Sequence, residues 1–167
     1  QIDAGVTKKS EDGLTPEEQL RKIRSHLTPL LNQQQDHFLN QLVRNLAKEK
    51  IHLLNFHELN TRQQLWVNNF FQTAIFPVLT PLSVDPAHPF PFVSNLSLNI
   101  AAIIADPKTK IKQFVRVKIP KNGLNRFVKI PTDLQSRNKN IKYISIPIEQ
   151  LIGQNLKALF PGMEVKE

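Results

Sequence analysis

Apolar residues at Leu20, Ile23, Leu27, Leu30, Leu31, Phe38, Leu42 and Leu46 recur at spacings of three, four and seven. That is the pattern of a single stripe along a helix, and Leu39 and Val43 widen it in its second half. The residues just ahead read as a helix start. Thr15 suits the cap, Pro16 the first turn, and Glu18 completes a Thr-x-x-Glu capping box. Glu17 and Glu18 also face the positive end of the helix dipole. Pro29 opposes the pattern, because inside a helix it removes the bond to the Ser25 carbonyl at a cost of ~3 kcal/mol. The polar tract 32–36 interrupts the stripe just beyond it. The pattern predicts one kinked rod ending near Lys48, with two helices meeting at Pro29 as the alternative. Such a stripe ordinarily faces a core.

The next run, IHLLNFH at 51–57, reads as a short strand, in which His52 and His57 would fall on opposite faces. Asn60 or Thr61 then caps a second helix to about Ile75. Leu65, Trp66, Val67, Phe70, Phe71, Ala74 and Ile75 give it a broad buried face, with Trp66 as a core residue. Residues 76–104 read FPVLTPLSVDPAHPFPFVSNLSLNIAAII, and five of the chain's twelve prolines lie between Pro77 and Pro91. The segment is too apolar for a disordered linker. It predicts a stiff, non-helical strap packed against the protein, entering a strand over about 96–105. Leu96, Leu98 and Ile100 alternate with polar residues, and the continuous apolar run 100–105 predicts cover on both faces. Asp106-Pro107 breaks that strand. A second strand over 111–119 follows, with Phe114 or Val115 in register with Val117 and Ile119. The short intervening loop favours an antiparallel pair. Two further strands fall at 127–130 and 142–146, after a turn at Asn122-Gly123. Pro147 opens a last helix with Ile148, Leu151, Ile152, Asn155, Leu156 and Leu159 on its inner side, ended by Pro161-Gly162. The sum is an α+β chain: a long helical arm over 1–50, then a mostly antiparallel sheet with helices over 51–167. A domain ending at Glu167 would lack its last elements.

Charge changes this picture more than composition does. The chain has 167 residues, no cysteine and a formal net charge of +8, so disulfides and thiolate metal sites are excluded. No apolar run approaches the roughly 20 residues that cross a bilayer. The positive balance favours anionic partners: nucleic acid, an acidic membrane surface or a polyphosphate. Between residues 108 and 142 there are eleven Lys and Arg against the single acid Asp133. Eight of them, Lys108, Lys110, Lys112, Arg116, Lys118, Lys121, Arg126 and Lys129, are the candidate polyanion contacts. Lys110, Lys112, Arg116 and Lys118 are all even-numbered, so a regular strand would project them together. The competing explanation is a solvated sheet face that resists edge aggregation.

Catalytic chemistry has no such signature. His26, His37, His52, His57 and His88 lack metal-ligand spacing. There is no GxxxxGK[ST] or GxGxxG loop to cradle phosphates. Glu17-Glu18 is explained by helix capping and Glu11-Asp12 by a solvated loop. No catalytic, cofactor-binding or metal residue is assigned, and His88, flanked by prolines, is a structural strap residue.

The segment FPVLTPLSVDPAHPFPFVSNLSLNIA resembles the corresponding part of the long bacterial polyphosphate kinases. AGVTKKSEDGLTPEEQL and IPIEQLIGQNLKALFPGMEV resemble the same family in the same order, so nearly all of the chain is covered. The resemblance implies a parent enzyme that transfers the terminal phosphate of ATP to inorganic polyphosphate, with Mg²⁺ and through a phosphohistidine. It implies a much longer parent with an N-terminal helical domain, a head domain and two catalytic domains. This chain would hold the end of the first (1–50) and the early head domain (51–167). The phosphorylated histidine and the adenine contact would lie in sequence outside it, so the fragment alone would be inactive and bind neither ATP nor Mg²⁺. Its work would be scaffolding, homo-oligomer contact through the head domain, and a polyanion path. The parent would be cytoplasmic, with peripheral membrane association. The rival is a free-standing basic module that binds nucleic acid. It accounts for the charge but not for the strap, and the tract, with only Phe114, Phe127 and Tyr143, has no aromatic-rich RNA-recognition run.

Overall fold

The computed structural model describes residues 5, 7–84, 93–121, 123–135 and 141–166. The chain divides into two compact units, Gln1–Glu49 and Lys50–Glu167. The first is a rod made of α1 (Pro16–His37), a π-helical turn (Phe38–Leu42) and α2 (Val43–Lys48), in unbroken succession. Its start is the capping box that the sequence announces. The Glu18 N–H donates to Thr15 Oγ1 at 3.3 Å, and the Thr15 N–H donates to Glu18 Oε2 at 2.8 Å, so two otherwise orphaned donors are satisfied. The helix runs through Pro29, which decides for one rod over two helices. The apolar stripe differs from expectation. No described residue of the rod is buried, and Leu20, Ile23, Leu27, Leu30 and Leu31 are all exposed. A single rod has no second apolar surface within its own unit on which to close.

Among its described residues the second unit holds seven strands in two sheets. Lys50 opens it with φ 67, and its carbonyl accepts from the N–H groups of Lys142 and Tyr143. Strand β1 (Ile51–Leu53) then runs parallel to β6 (Tyr143–Pro147), and β5 (Phe127–Lys129) flanks β6 antiparallel on its other side. His57 lies in a short 3-10 turn, Phe56–Glu58, not in the strand with His52. The apolar run is too short to continue the ladder once Asn55 caps that turn. Helix α3 (Thr61–Phe70) starts at Asn60, whose side chain accepts from the Gln63 N–H at 3.0 Å. A π turn, Phe71–Ile75, carries it to Pro77, which has no N–H to continue a regular ladder.

The strap is more ordered than a stiff coil. After a 3-10 turn at Phe76–Val78 it forms β2 (Thr80–Val84), while the proline-rich remainder, with His88, lies outside the described residues. Strand β2 pairs with β4 (Lys112–Lys118), β4 with β3 (Asn99–Ala105), and β3 with β7 (Glu164–Lys166), all antiparallel. Pro81 is tolerated because β2 is an edge strand, where a missing N–H costs no ladder bond. Leu96 is not part of β3. It sits in the preceding turn at φ 52 and is 84% exposed. The continuous apolar run is covered on both faces at its far end, where the neighbours Ile104 and Ala105 are both buried, but not at Ala101, which is exposed on the same face as Ala105.

Alternation along β4 separates the two faces of this sheet. Val115 and Val117 are buried on one, and Val117 joins the main core with Phe71, Ile75, Ile130, Ile146, Leu151 and Ile152. Helix α4 (Ile148–Gln154) and the 3-10 turn Leu156–Leu159 close that core. Pro147 is the helix cap and the last residue of β6. The buried amide of Gln63 donates to the Leu134 carbonyl at 3.1 Å and that of Gln135 to the Ile130 carbonyl at 2.6 Å. Among the described residues, no helix is long and apolar enough to cross a membrane.

Candidate polyanion-contact surface

The eight basic candidates fall into distinct local settings. Lys108 and Lys110 lie on the turn between β3 and β4. Asp106 organises that turn by accepting from the N–H groups of Lys108 at 2.7 Å and Thr109 at 3.0 Å. The Thr109 bond first, then the Lys108 bond, holds the Asp106 carboxyl below the usual aspartate range. Lys110 has φ 59 and places Nζ 3.9 Å from Glu164 Oε1, while Lys166 Nζ sits 2.7 Å from Glu164 Oε2. Glu164 is accordingly lowered, chiefly by Lys166. On β4, Lys112, Arg116 and Lys118 share the face opposite Val115 and Val117, as period two requires. They are not equally available: Lys112 and Lys118 are exposed, but Arg116 is only 7% exposed.

The remaining three are spread further. Arg126 Nη2 donates to Glu149 Oε1 at 2.7 Å, so much of its charge is matched. Lys129, on the other sheet, places Nζ 5.2 Å from the ring centroid of Tyr143, a cation–π geometry. Lys121 follows the Ile119-Pro120 corner and is exposed. The eight described candidates therefore do not present one continuous basic face. Arg137 and Lys139 lie outside the described residues.

Lys118 and Lys121 do come together, around a hollow of about 450 Å³ lined also by Val78, Thr80, Ser94, Asn95, Ser97 and Pro120. A second hollow of about 370 Å³ shares Pro120 and Lys121 and reaches Arg126 and Ile148. Lys121 thus stands between two adjoining concavities, with Lys118 in one and Arg126 in the other. The strands fix this geometry. Lys118 is paired with Thr80 on β2 and with Asn99 on β3, and the Ile119 N–H donates to the Leu98 carbonyl at 3.0 Å. Charge counting along the sequence missed Thr80, Ser94 and Asn95. The polar cluster Ser94-Asn95 and Ser97, inside an apolar segment, was the available signal. Among the described residues, no three His, Cys, Asp or Glu side chains gather to hold a metal ion.

Comparison with known proteins decides the family. Residues 62–167 match the polyphosphate kinase middle domain and residues 1–54 the polyphosphate kinase N-terminal domain. The chain belongs to the polyphosphate kinase family. A polyphosphate kinase of Prochlorococcus marinus is 56% identical over all of this chain, which spans 24% of that protein's length. That of Parasynechococcus marenigrum is 54% identical over 99% of the chain and 23% of its own length. The chain thus spans about a quarter of the length of each of these two relatives. The crystal structure of polyphosphate kinase from Porphyromonas gingivalis superposes with a TM-score of 0.75 at 23% identity, over 88% of this chain and 24% of that one. This shows that the α+β fold is shared.

Proposed function

We propose that this chain is a non-catalytic part of a polyphosphate kinase, with 1–50 the end of the N-terminal helical domain and 51–167 the early head domain. The parent enzyme would move the terminal phosphate of ATP to inorganic polyphosphate, with ATP and Mg²⁺ held by parts of the enzyme outside this chain. Within the parent this part is a scaffold. It supplies homo-oligomer contact through the head domain and a stretch of surface along which the polyanion passes.

The observation that supports the polyanion contact is the pair of adjoining hollows with Lys118, Lys121 and Arg126 at their edges. Phosphate contacts by lysine and arginine release condensed counterions, so affinity falls steeply with salt. The test is titration of the 167-residue chain with long-chain polyphosphate at several salt concentrations. Joint replacement of Lys118 and Lys121 by Gln should weaken binding and flatten the salt slope. Joint replacement of Arg21, Lys22 and Arg24 on the rod should do much less. Arg116 is left unchanged, because its burial would confound charge with folding. Equal losses from the two clusters would mean diffuse attraction to a basic protein and would remove the path from this reading. Displacement of polyphosphate by single-stranded nucleic acid at equal phosphate concentration would favour a general nucleic-acid surface instead.

A further inference from the structure

We propose that the hollow bounded by Thr80, Ser94, Asn95, Lys118 and Lys121 is a discrete binding site for one tetrahedral oxyanion, the terminal phosphoryl group of a condensed phosphate. This deepens the polyanion reading and rests on it: the path would carry a defined end site, not only a field. Three observations converge on it. First, none of the described residues lining the hollow is acidic, so none of them offsets the two ammonium groups. Neither Lys118 nor Lys121 is in an ion pair among the described residues.

Second, the polar groups around it are mostly spare donors. Ser94 Oγ lies 3.5 Å from Lys118 Nζ as acceptor, which leaves the serine O–H to donate elsewhere. Thr80 and Asn95 have no side-chain hydrogen bond among the described residues. Ser97 is different, because its O–H is already given to the Ser94 carbonyl at 2.6 Å. That bond shapes the wall and leaves the ligand to the other groups. A cluster of hydroxyl and amide donors with two cations and no carboxylate among its described lining residues suits a multiply charged oxyanion, which accepts through every oxygen.

Third, the donors stand on a fixed frame. Thr80 and Lys118 are register partners across β2 and β4. The turn that carries Ser94 is closed by the Ser97 N–H donating to the Ser94 carbonyl and by Asn99 Nδ2 donating to the Ser97 carbonyl. Sites built on strands hold their donors more closely than sites on free loops.

The test uses the 167-residue chain at constant ionic strength in potassium chloride. Amide NMR signals are followed during titration with inorganic phosphate, with tripolyphosphate and, separately, with sulfate. Tripolyphosphate should saturate and move the amides of Thr80, Lys118, Lys121 and residues 94–97. Inorganic phosphate should move the same signals more weakly, and chloride should not. Lys118→Gln should weaken tripolyphosphate by about tenfold or more, as for loss of a charge-assisted contact. Ser94→Ala, which leaves the charge unchanged, should weaken it by about threefold to tenfold. Lys112→Gln, on the same sheet face but away from the hollow, should have no such effect. Thermal melts exclude unfolding, and Ser94→Ala keeps the test intact if Lys118→Gln is unstable. Wild-type affinity in Ser94→Ala, or an equal loss in Lys112→Gln, overturns the site. If long polyphosphate binds with a steep salt slope while tripolyphosphate leaves 94–97 unmoved, the end site fails and the path stands. If long polyphosphate itself fails to bind, both fall. If inorganic phosphate and sulfate bind as tightly as tripolyphosphate, the site is one for free oxyanions and the assignment to a condensed phosphate is wrong.

Discussion

The Arg126 guanidinium donates to Glu149 Oε1 at 2.7 Å, tying the residue ahead of β5 to the first turn of α4. The same link is made by backbone, since the Ile148 N–H donates to the Arg126 carbonyl at 2.9 Å. Both side chains keep substantial solvent contact, 55% and 32% exposed, so the ion pair is a modest stabiliser. Its larger effect is to occupy a cation at the edge of the second hollow. Glu149→Gln should therefore lower stability by only ~0.2–1 kcal/mol. It should raise long-polyphosphate affinity by about twofold to fivefold, as one further phosphate contact becomes available. Chemical denaturation and polyphosphate titration check the two halves. Unchanged affinity would take Arg126 out of the path.

The two faces of β3 should respond oppositely to charge. Ile100 packs against the core, opposite Val117, whereas Ala101 is exposed and opposite Arg116. Ile100→Asp should cost about 3 kcal/mol or more, because an unpaired charge is forced towards the core. Ala101→Asp should stay within about 0.5 kcal/mol of the parent. Denaturation midpoints of the two variants decide the register; equal losses would mean that the strand is covered on both sides at Ile100 and Ala101 too.

Much of this fold was legible because it is local. The Thr15–Glu18 box, the Asn60 cap, the β3–β4 hairpin and the inner face of α4 each follow from residues within a few positions of one another. What was illegible depends on distant partners. The three-residue strand β1 was legible from its own apolar run, but its parallel pairing with β6, some ninety residues later, was not. Strand β7 is equally short and reads as a tail until β3 pairs with it. Pro81 disguised β2 as coil, since only its edge position permits a proline there. The site followed the same rule. The run of basic residues was plain, but ion pairs offset the charges of Lys110 and Arg126, and burial withdraws Arg116. The hollow around Lys118 takes its donors from three separate stretches, so charge counting along the chain could not assemble it.

Acid should loosen the start of the rod. The Thr15 backbone N–H first, then the Thr15 hydroxyl, holds the Glu18 carboxyl below the ordinary glutamate range. A depressed folded pKa means that the contribution is complete above the unfolded value and is lost as pH falls through the folded one. The Thr15 amide signal should lose its hydrogen-bonded character only below the ordinary glutamate range. Glu18→Gln keeps a capping-box acceptor and should abolish that acid transition with little change at neutral pH. Persistence of the transition in Glu18→Gln would assign it to another carboxylate, with Asp12, also lowered and bonded to Gln19, next to be replaced.

If the catalytic centre lies in other parts of the parent, the 167-residue chain should neither hydrolyse ATP nor accept its phosphate. Incubation with γ-labelled ATP and Mg²⁺, followed by acid- and base-stability tests of any label, measures this. An acid-labile, base-stable label on a histidine of this chain would place phosphoryl chemistry here and overturn the non-catalytic reading.

Leu96 offers a test of strain without packing. Its φ of 52 lies in the left-handed region, and its side chain is 84% exposed. An L residue with a Cβ pays roughly 1–2 kcal/mol for that backbone, and so exposed a leucine recovers little by burial. Asparagine tolerates the left-handed region because its short side chain bonds locally. Leu96→Asn should therefore stabilise the chain by about 0.5–1 kcal/mol. Leu96→Gly should gain less, because glycine also enlarges the unfolded ensemble. Leu96→Val should lose about 1 kcal/mol, since a β-branched residue fits this backbone worst. Urea denaturation of the three variants supplies the order. The expected ranking, Asn above Gly above Leu above Val, isolates backbone conformation from contact. If Asn and Val were equally destabilised, the leucine would be held by contact of its side chain, and the turn that carries Ser94 and Ser97 would owe its shape to that contact.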